Sequence, residues 1–172
     1  MKLAEILKTN YLFRVVREDE LVNSDVLWAK DKDAMYTLTA FLTNGSRLAS
    51  QFIATTKSID VAYRWARQDE RRIAVIDIDS LDDVIAVDCS TEQLALEAMS
   101  SYIWSAKPNK QGARFAAASV EVDLEAYRGV PVMAIFNWED IPTIFDTSTN
   151  GLVVDKRKWN IRKEGKWKLK KA

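Results

Sequence analysis

Ser50-Gln51-Phe52-Ile53-Ala54-Thr55-Thr56-Lys57-Ser58 reads as a short buried strand that ends in hydroxyl residues and opens directly into a helix. A strand, a polar turn and a helix N-terminus in succession gather hydroxyls and free backbone N–H groups at one spot. Such a spot suits a polar or anionic ligand. Ser58 is a credible N-cap for a helix over residues 58–68, with Ile59, Ala62, Tyr63 and Ala66 as its buried stripe. The apolar run Ile73-Ala74-Val75-Ile76 follows, inside the strongest strand of the chain, residues 72–78, which is expected to be central.

Upstream, Leu3, Ile6 and Leu7 are spaced as a short amphipathic helix. Residues 11–17 are aromatic and β-branched and form the first convincing strand. Arg14 stands inside that apolar run, either on its solvated face or held near the core to bind a carboxylate or phosphate. Asp33 is placed to cap a helix over residues 34–43, with Met35, Leu38 and Leu42 along one face, stopped by Asn44-Gly45.

Downstream, residues 80–83 read as a turn, 84–87 as a strand, 90–104 as a helix and 107–112 as a loop. Residues 119–124 alternate with period two. Val120, Val122 and Leu124 share one face; Glu121 and Asp123 share the other, expected to meet solvent. Residues 130–136 read as a buried strand and 143–145 as a short edge strand. About seven strands with three or four helices, not strictly alternating, predict an α+β fold built on a split, mixed β-sheet core with flanking helices.

The composition of the 172 residues, 48% hydrophobic and 29% charged, suits one globular domain rather than global disorder. The division expected is a domain over residues 1–150 and a basic extension over 151–172. Nine of the 25 Lys/Arg residues lie between Lys156 and Lys171, against one of the 25 acidic residues, so the remainder carries a net charge of −8. An acidic body with a basic tail suits an acidic partner, nucleic acid or protein, or a tail folded back on its own body. A hairpin pairing Trp159 and Ile161 with Trp167 and Leu169 fits the tail pattern.

The chain has no histidine and a single cysteine, Cys89. That removes Ser-His-Asp triads, Cys-His dyads and a structural zinc site, and leaves only an all-oxygen metal site open. Asp77 with Asp79, or Glu121 with Asp123, are the i, i+2 carboxylate pairs that suit Mg²⁺. There is no glycine-rich dinucleotide fingerprint, no phosphate loop, no secretory leader pattern and no apolar run approaching the ~18 residues of a membrane span. The expected location is the cytoplasm, or a target cell to which the protein is delivered.

An arginine in the first strand (Leu12-Phe13-Arg14-Val15), a Phe-Ile-x-Thr-Thr strand entering a helix (Phe52 to Thr56) and a glutamate in a later Val-Glu-Val strand (Glu121) recur in that order. This arrangement resembles the ADP-ribosyltransferase fold, in the branch with an Arg, Ser-Thr-Ser-like, Glu signature, over residues 11–136. The resemblance implies an NAD-dependent mono-ADP-ribosyltransferase, with toxin or effector among the roles it allows, and a macromolecular acceptor. NAD is its substrate. Arg14 would grip a phosphate or the nicotinamide ribose region. Thr55, with Ser50 or Thr56, would brace the ribose and the glutamate. Glu121 would bond the ribose 2′-hydroxyl and stabilise the charge that develops as nicotinamide leaves. Tyr63 or Trp65 would wall the nicotinamide. The family commonly has Ser where this chain has Ala54, and Glu or Gln where it has Ser119. Those departures leave NAD hydrolysis, or a non-catalytic binding module on the same fold, as alternatives.

Overall fold

The computed structural model describes residues 2–20, 25–81, 84–101 and 107–153. The basic tail and its expected hairpin lie outside the described residues.

The fold is α+β. Ten strands occur among the described residues: β1 (Tyr11–Val15), β2 (Val26–Leu27), β3 (Phe52–Thr56), β4 (Arg72–Asp77), β5 (Ile85–Cys89), β6 (Glu121–Glu125), β7 (Val130–Pro131), β8 (Ala134–Asn137), β9 (Phe145–Asp146) and β10 (Gly151–Leu152). The helices are α1 (Leu3–Leu7), α2 (Leu38–Asn44), α3 (Ile59–Gln68), α4 (Glu92–Ser101), α5 (Lys110–Ala118) and α6 (Ile141–Ile144). Six strands form one sheet in the order β5-β6-β3-β1-β4-β8. Every described pairing is antiparallel, so the sheet is not the mixed one expected. The middle strands are β3 and β1, and β4 lies one place out, between β1 and β8.

The sheet is unevenly joined. β3 meets β6 through five register pairs, and β1 meets β4 through five, but β1 meets β3 only at Phe13↔Thr56. The two halves therefore diverge at the β1–β3 seam. Each half carries its own helices on one face. α3 and α6 cover Phe13, Ile73, Val75 and Phe136 with Ile59, Ala62, Ala66 and Ile141. α2, α4 and α5 cover Phe52 and Cys89 with Phe41, Leu42, Met99 and Ala116. The opposite face is one continuous core. There Leu12, Ile53, Ile76 and Leu124 pack with Leu7 of α1 and with Leu27 and Val130 of the β2–β7 ribbon.

Several elements differ from the sequence expectation for local reasons. α2 begins at Thr37, whose hydroxyl accepts from Ala40 N at 3.0 Å. Asp33 stays in the preceding turn, where its own N–H bonds the Asp31 carboxylate, and Met35 is exposed. The expected 107–112 loop is already helical from Lys110, because the Asn109 side chain accepts from the N–H groups of Gln111 and Gly112. Gly112 packs α5 onto α2: a Cβ there would stand 3.4 Å from the Leu42 carbonyl oxygen. The 130–136 run breaks into β7 and β8, which join different sheets. Residues 141–144 are helical, and only Phe145–Asp146 is strand. That strand pairs with Gly151–Leu152, so the expected boundary at 150/151 falls inside the β9–β10 ribbon.

Candidate functional site

The seam between β1 and β3 opens a cavity of about 1220 Å³. α2 and α5 line it with Phe41, Leu42 and Phe115, the sheet with Arg14, Ala54 and Glu121, and α3 with Trp65. A smaller recess of about 110 Å³ shares Arg14, Ala54, Trp65 and Glu121 with it and adds Thr55 and Thr56. Arg14, Thr55 and Glu121 come from β1, β3 and β6, which are neighbours in the sheet. A single row of register partners, Cys89↔Glu121↔Thr56↔Phe13, crosses the sheet beneath the cleft.

Arg14 is held as a clamp. Its Nε and Nη2 donate to the two Glu20 carboxylate oxygens, both at 3.1 Å, and its Nη1 donates to the Ala54 carbonyl at 2.9 Å. The guanidinium thus bridges the seam where backbone pairing between β1 and β3 stops. A guanidinium has five N–H donors, and these contacts use three.

Thr55 and Thr56 are buried, and both hydroxyls are engaged with β6 and the turn before it. Thr55 Oγ1 donates to the Val122 carbonyl at 2.8 Å, and Thr56 Oγ1 donates to the Ser119 carbonyl at 2.6 Å. They fix β3 against the glutamate strand. The helix N-terminus that looked open to an anion is closed from within. Ser58 accepts from Val61 N at 3.2 Å, and Asn150 Oδ1 accepts from Ile59 N at 2.7 Å. Asn150 Nδ2 also donates to the Lys57 carbonyl at 3.0 Å. Asn150 is distant in sequence, and no local pattern marks it as a cap.

Two candidates stand elsewhere. Ser50 is buried away from both cavities, with its hydroxyl accepting from Phe52 N at 3.2 Å. Tyr63 packs toward Trp138, ring centroids 6.4 Å apart, in the α3 core. α3 turns its neighbour by two positions, Trp65, toward the cleft instead, and Trp65 remains 40% exposed.

The face of β6 that carries Glu121 and Asp123 is not solvated. Glu121 is 9% exposed and Asp123 is 0% exposed, because α4 and α5 lie over this half of the sheet. Burial raises the Glu121 carboxyl from 4.5 to about 7 and raises Asp123 well above its ordinary range, with the neighbouring Glu121 charge adding to the second effect. Burial also raises the Cys89 thiol, with Asp123 and Glu121 adding to it, which disfavours the nucleophilic thiolate. Glu121 follows a strained residue. Val120 sits at φ 49, a left-handed conformation that a β-branched side chain rarely adopts. It is held there as α5 ends: its N–H bonds the Ala117 carbonyl and its carbonyl accepts from Lys57 N, both at 3.0 Å.

No group of three or more Asp, Glu, Cys or His side chains among the described residues is arranged to hold a metal ion. Asp77, half of one expected Mg²⁺ pair, caps a turn by accepting from Asp79 N at 3.0 Å. Among the described residues no helix is long and apolar enough to cross a membrane. Comparison with protein-family models, with curated proteins and with solved structures finds no match to this chain.

Proposed function

We propose that the chain is an NAD-dependent mono-ADP-ribosyltransferase, acting at the cleft between β1 and β3. The observation that carries this reading is that Arg14, Thr55 and Glu121, from three adjacent strands, all line one recess together with Trp65. The residues suit a dinucleotide substrate in kind. The cleft is large, an indole faces it, and Arg14 retains two donors. Glu121 lines the recess, and its Oε2 is buried without a hydrogen-bond partner.

The chemistry follows from charge. Breaking an N-glycosidic bond develops positive charge on the ribose carbon, and a fixed carboxylate in a water-poor site stabilises that charge. Glu121 does this only when ionised. NAD cleavage is therefore expected to rise with pH through about 7, the value to which burial raises this group.

One observation favours NAD hydrolysis over transfer to a macromolecule. Ser119, two residues before Glu121, is buried and donates its hydroxyl to the Phe115 carbonyl at 3.0 Å. It presents nothing to an acceptor.

The test is nicotinamide release from NAD by the purified chain at pH 8, with Glu121→Gln as the control. Release that falls at least a hundredfold in the variant supports the reading, and free ADP-ribose against labelled macromolecule separates hydrolysis from transfer. No release, together with no NAD binding by calorimetry, refutes it.

A further inference from the structure

Glu121 and Asp123 lie two residues apart on β6, so their side chains emerge on one face. β6 is flanked by β5 and β3, which puts Asp123 between Val87 and Ala54 and puts Glu121 between Cys89 and Thr56. Both Asp123 carboxyl oxygens and Glu121 Oε2 are buried without a hydrogen-bond partner. The described cations around them are committed or exposed. Lys57 pairs with Asp88 at 2.8 Å, Arg114 pairs with Glu92 at 3.5 Å, Arg14 pairs with Glu20 at 3.1 Å, and Lys110 of α5 is exposed. The acidic groups of the packed elements are equally accounted for. Glu125 bonds Tyr127 and Gln51, and Glu97 of α4 is exposed. Two neighbouring anions in a dry site, with no described cation paired to either, would each carry a large desolvation cost. A proton between them removes one charge and turns one acceptor into a donor. Two residues apart on one strand face, the two carboxyl groups are neighbours at a spacing that a single hydrogen bond can bridge.

We infer that Asp123 is a positioning residue for Glu121: it keeps the proton that the two carboxyl groups share and donates it as a hydrogen bond that holds the Glu121 carboxylate toward the cleft. Asp123 is the proton's holder because it is fully buried, whereas Glu121 lines the cavity. The bond does two things. It fixes the Glu121 rotamer, and it eases ionisation of Glu121, since a donor to a carboxylate favours its charged form. The inference rests on the NAD-cleavage reading for its catalytic consequence but not for the proton itself.

Two measurements on the full chain test it. In the first, the carboxyl carbons of Glu121 and Asp123 are followed by ¹³C NMR against pH. One of the pair should stay protonated through neutral pH, and Asp123→Asn should leave a single simple titration for Glu121. Two independent titrations near the ordinary carboxyl range would overturn the inference, whether or not NAD is cleaved. In the second, Asp123→Val is compared with Asp123→Asn. Valine fills the slot beside Val87 and Ala54 without a polar atom and should fold at least as stably as the wild type. It should nevertheless lose at least tenfold in NAD cleavage, with its pH profile displaced upward, while asparagine, which still donates, recovers most of that loss. A folded Asp123→Val chain with wild-type rate and pH profile would overturn the positioning role. If the wild type does not cleave NAD, the functional reading has failed, and the NMR titration alone decides the shared proton.

Discussion

The Arg14–Glu20 clamp should be worth several kcal/mol to the fold, and its removal can be worked through atom by atom. The Arg14 side chain is 17% exposed and that of Glu20 is 8% exposed. In Arg14→Met the hydrocarbon stem survives, but Glu20 Oε2 loses its donor and the Ala54 carbonyl loses the Nη1 bond. Breaking a buried ion pair from one side costs about 3–5 kcal/mol, and a lost hydrogen bond about 1 kcal/mol. The first figure belongs at its lower end here, because Glu20 Oε1 keeps the Arg17 backbone N–H at 2.9 Å and its guanidinium at 3.4 Å. The expected loss is about 3–4 kcal/mol, a large part of the whole stability of an ordinary domain. Glu20→Gln should cost less, because the amide oxygen still accepts from Arg14. The double variant should cost less than the sum, by about 1.5 kcal/mol or more, the signature of direct coupling. Urea unfolding at pH 7, followed by tryptophan fluorescence, measures all three. An Arg14→Met loss below about 1 kcal/mol, or a coupling energy near zero, would refute the clamp. The result also bears on function. Loss of NAD cleavage in an Arg14 variant is informative only at matched folded fraction, which makes Glu121→Gln the cleaner catalytic control.

Three further outcomes are expected. Asn150→Ala removes the acceptor for Ile59 N and the donor to the Lys57 carbonyl. It should lower stability by about 1–2 kcal/mol, which denaturant titration would measure. Gly129→Ala would put a Cβ 1.9 Å from Val26 Cγ1 and 3.0 Å from the Trp28 ring. It should cost about 1–3 kcal/mol and disturb the β2–β7 ribbon, read as a shift in Tm and in the amide signals of Val26 and Leu27. The third concerns pH. Glu121 takes up its proton more readily when folded, its carboxyl being raised from 4.5 to about 7. The folded state therefore holds more protons than the unfolded state between those values, and stability falls as pH rises through that window. The Glu121 contribution is about 3 kcal/mol, from 1.36 kcal/mol per pH unit. It should appear as the difference between wild type and Glu121→Gln in unfolding free energy measured from pH 4 to pH 8. A difference that does not change across that range would contradict the burial argument.

The strands most apolar in sequence were the most legible. β1, β3 and β4 follow directly from their β-branched and aromatic runs, and α3 follows from Ser58 and the stripe behind it. Arg14, Thr55 and Glu121 were legible as an ordered set, and all three line one recess. What the sequence hid is what depends on cover from distant segments. Period-two alternation in β6 signals two different faces but does not say that α4 and α5 close over the acidic one, so Glu121 and Asp123 looked solvated. Tyr63 and Trp65 are two residues apart on one helix, and only the position of the seam decides which aromatic meets the cleft. The α3 N-terminus looked open because its second cap, Asn150, arrives from the far end of the domain. The divergence of β1 from β3 has no local sequence signal beyond the arginine that bridges it.

Two departures from ordinary folding rules adjoin in this chain. Val120 holds a backbone conformation disfavoured for valine, and the next three residues include two buried carboxyls with unpartnered oxygens. Either departure alone could be relieved by substitution: a glycine or asparagine at 120, or an apolar residue at 123. Sequences that specify a fold tend to satisfy every local rule except where a site demands otherwise. Both departures act on Glu121. The left-handed turn sets where β6 begins, and Asp123 sets the environment in which its first side chain ionises. The rest of β6 is conventional: Val122 and Leu124 join the continuous core, and Glu125 is satisfied by Tyr127 and Gln51. The strain and the unpartnered carboxyl oxygens thus concentrate at and beside Glu121, a carboxylate that lines the cleft, where they bear on its charge and aim.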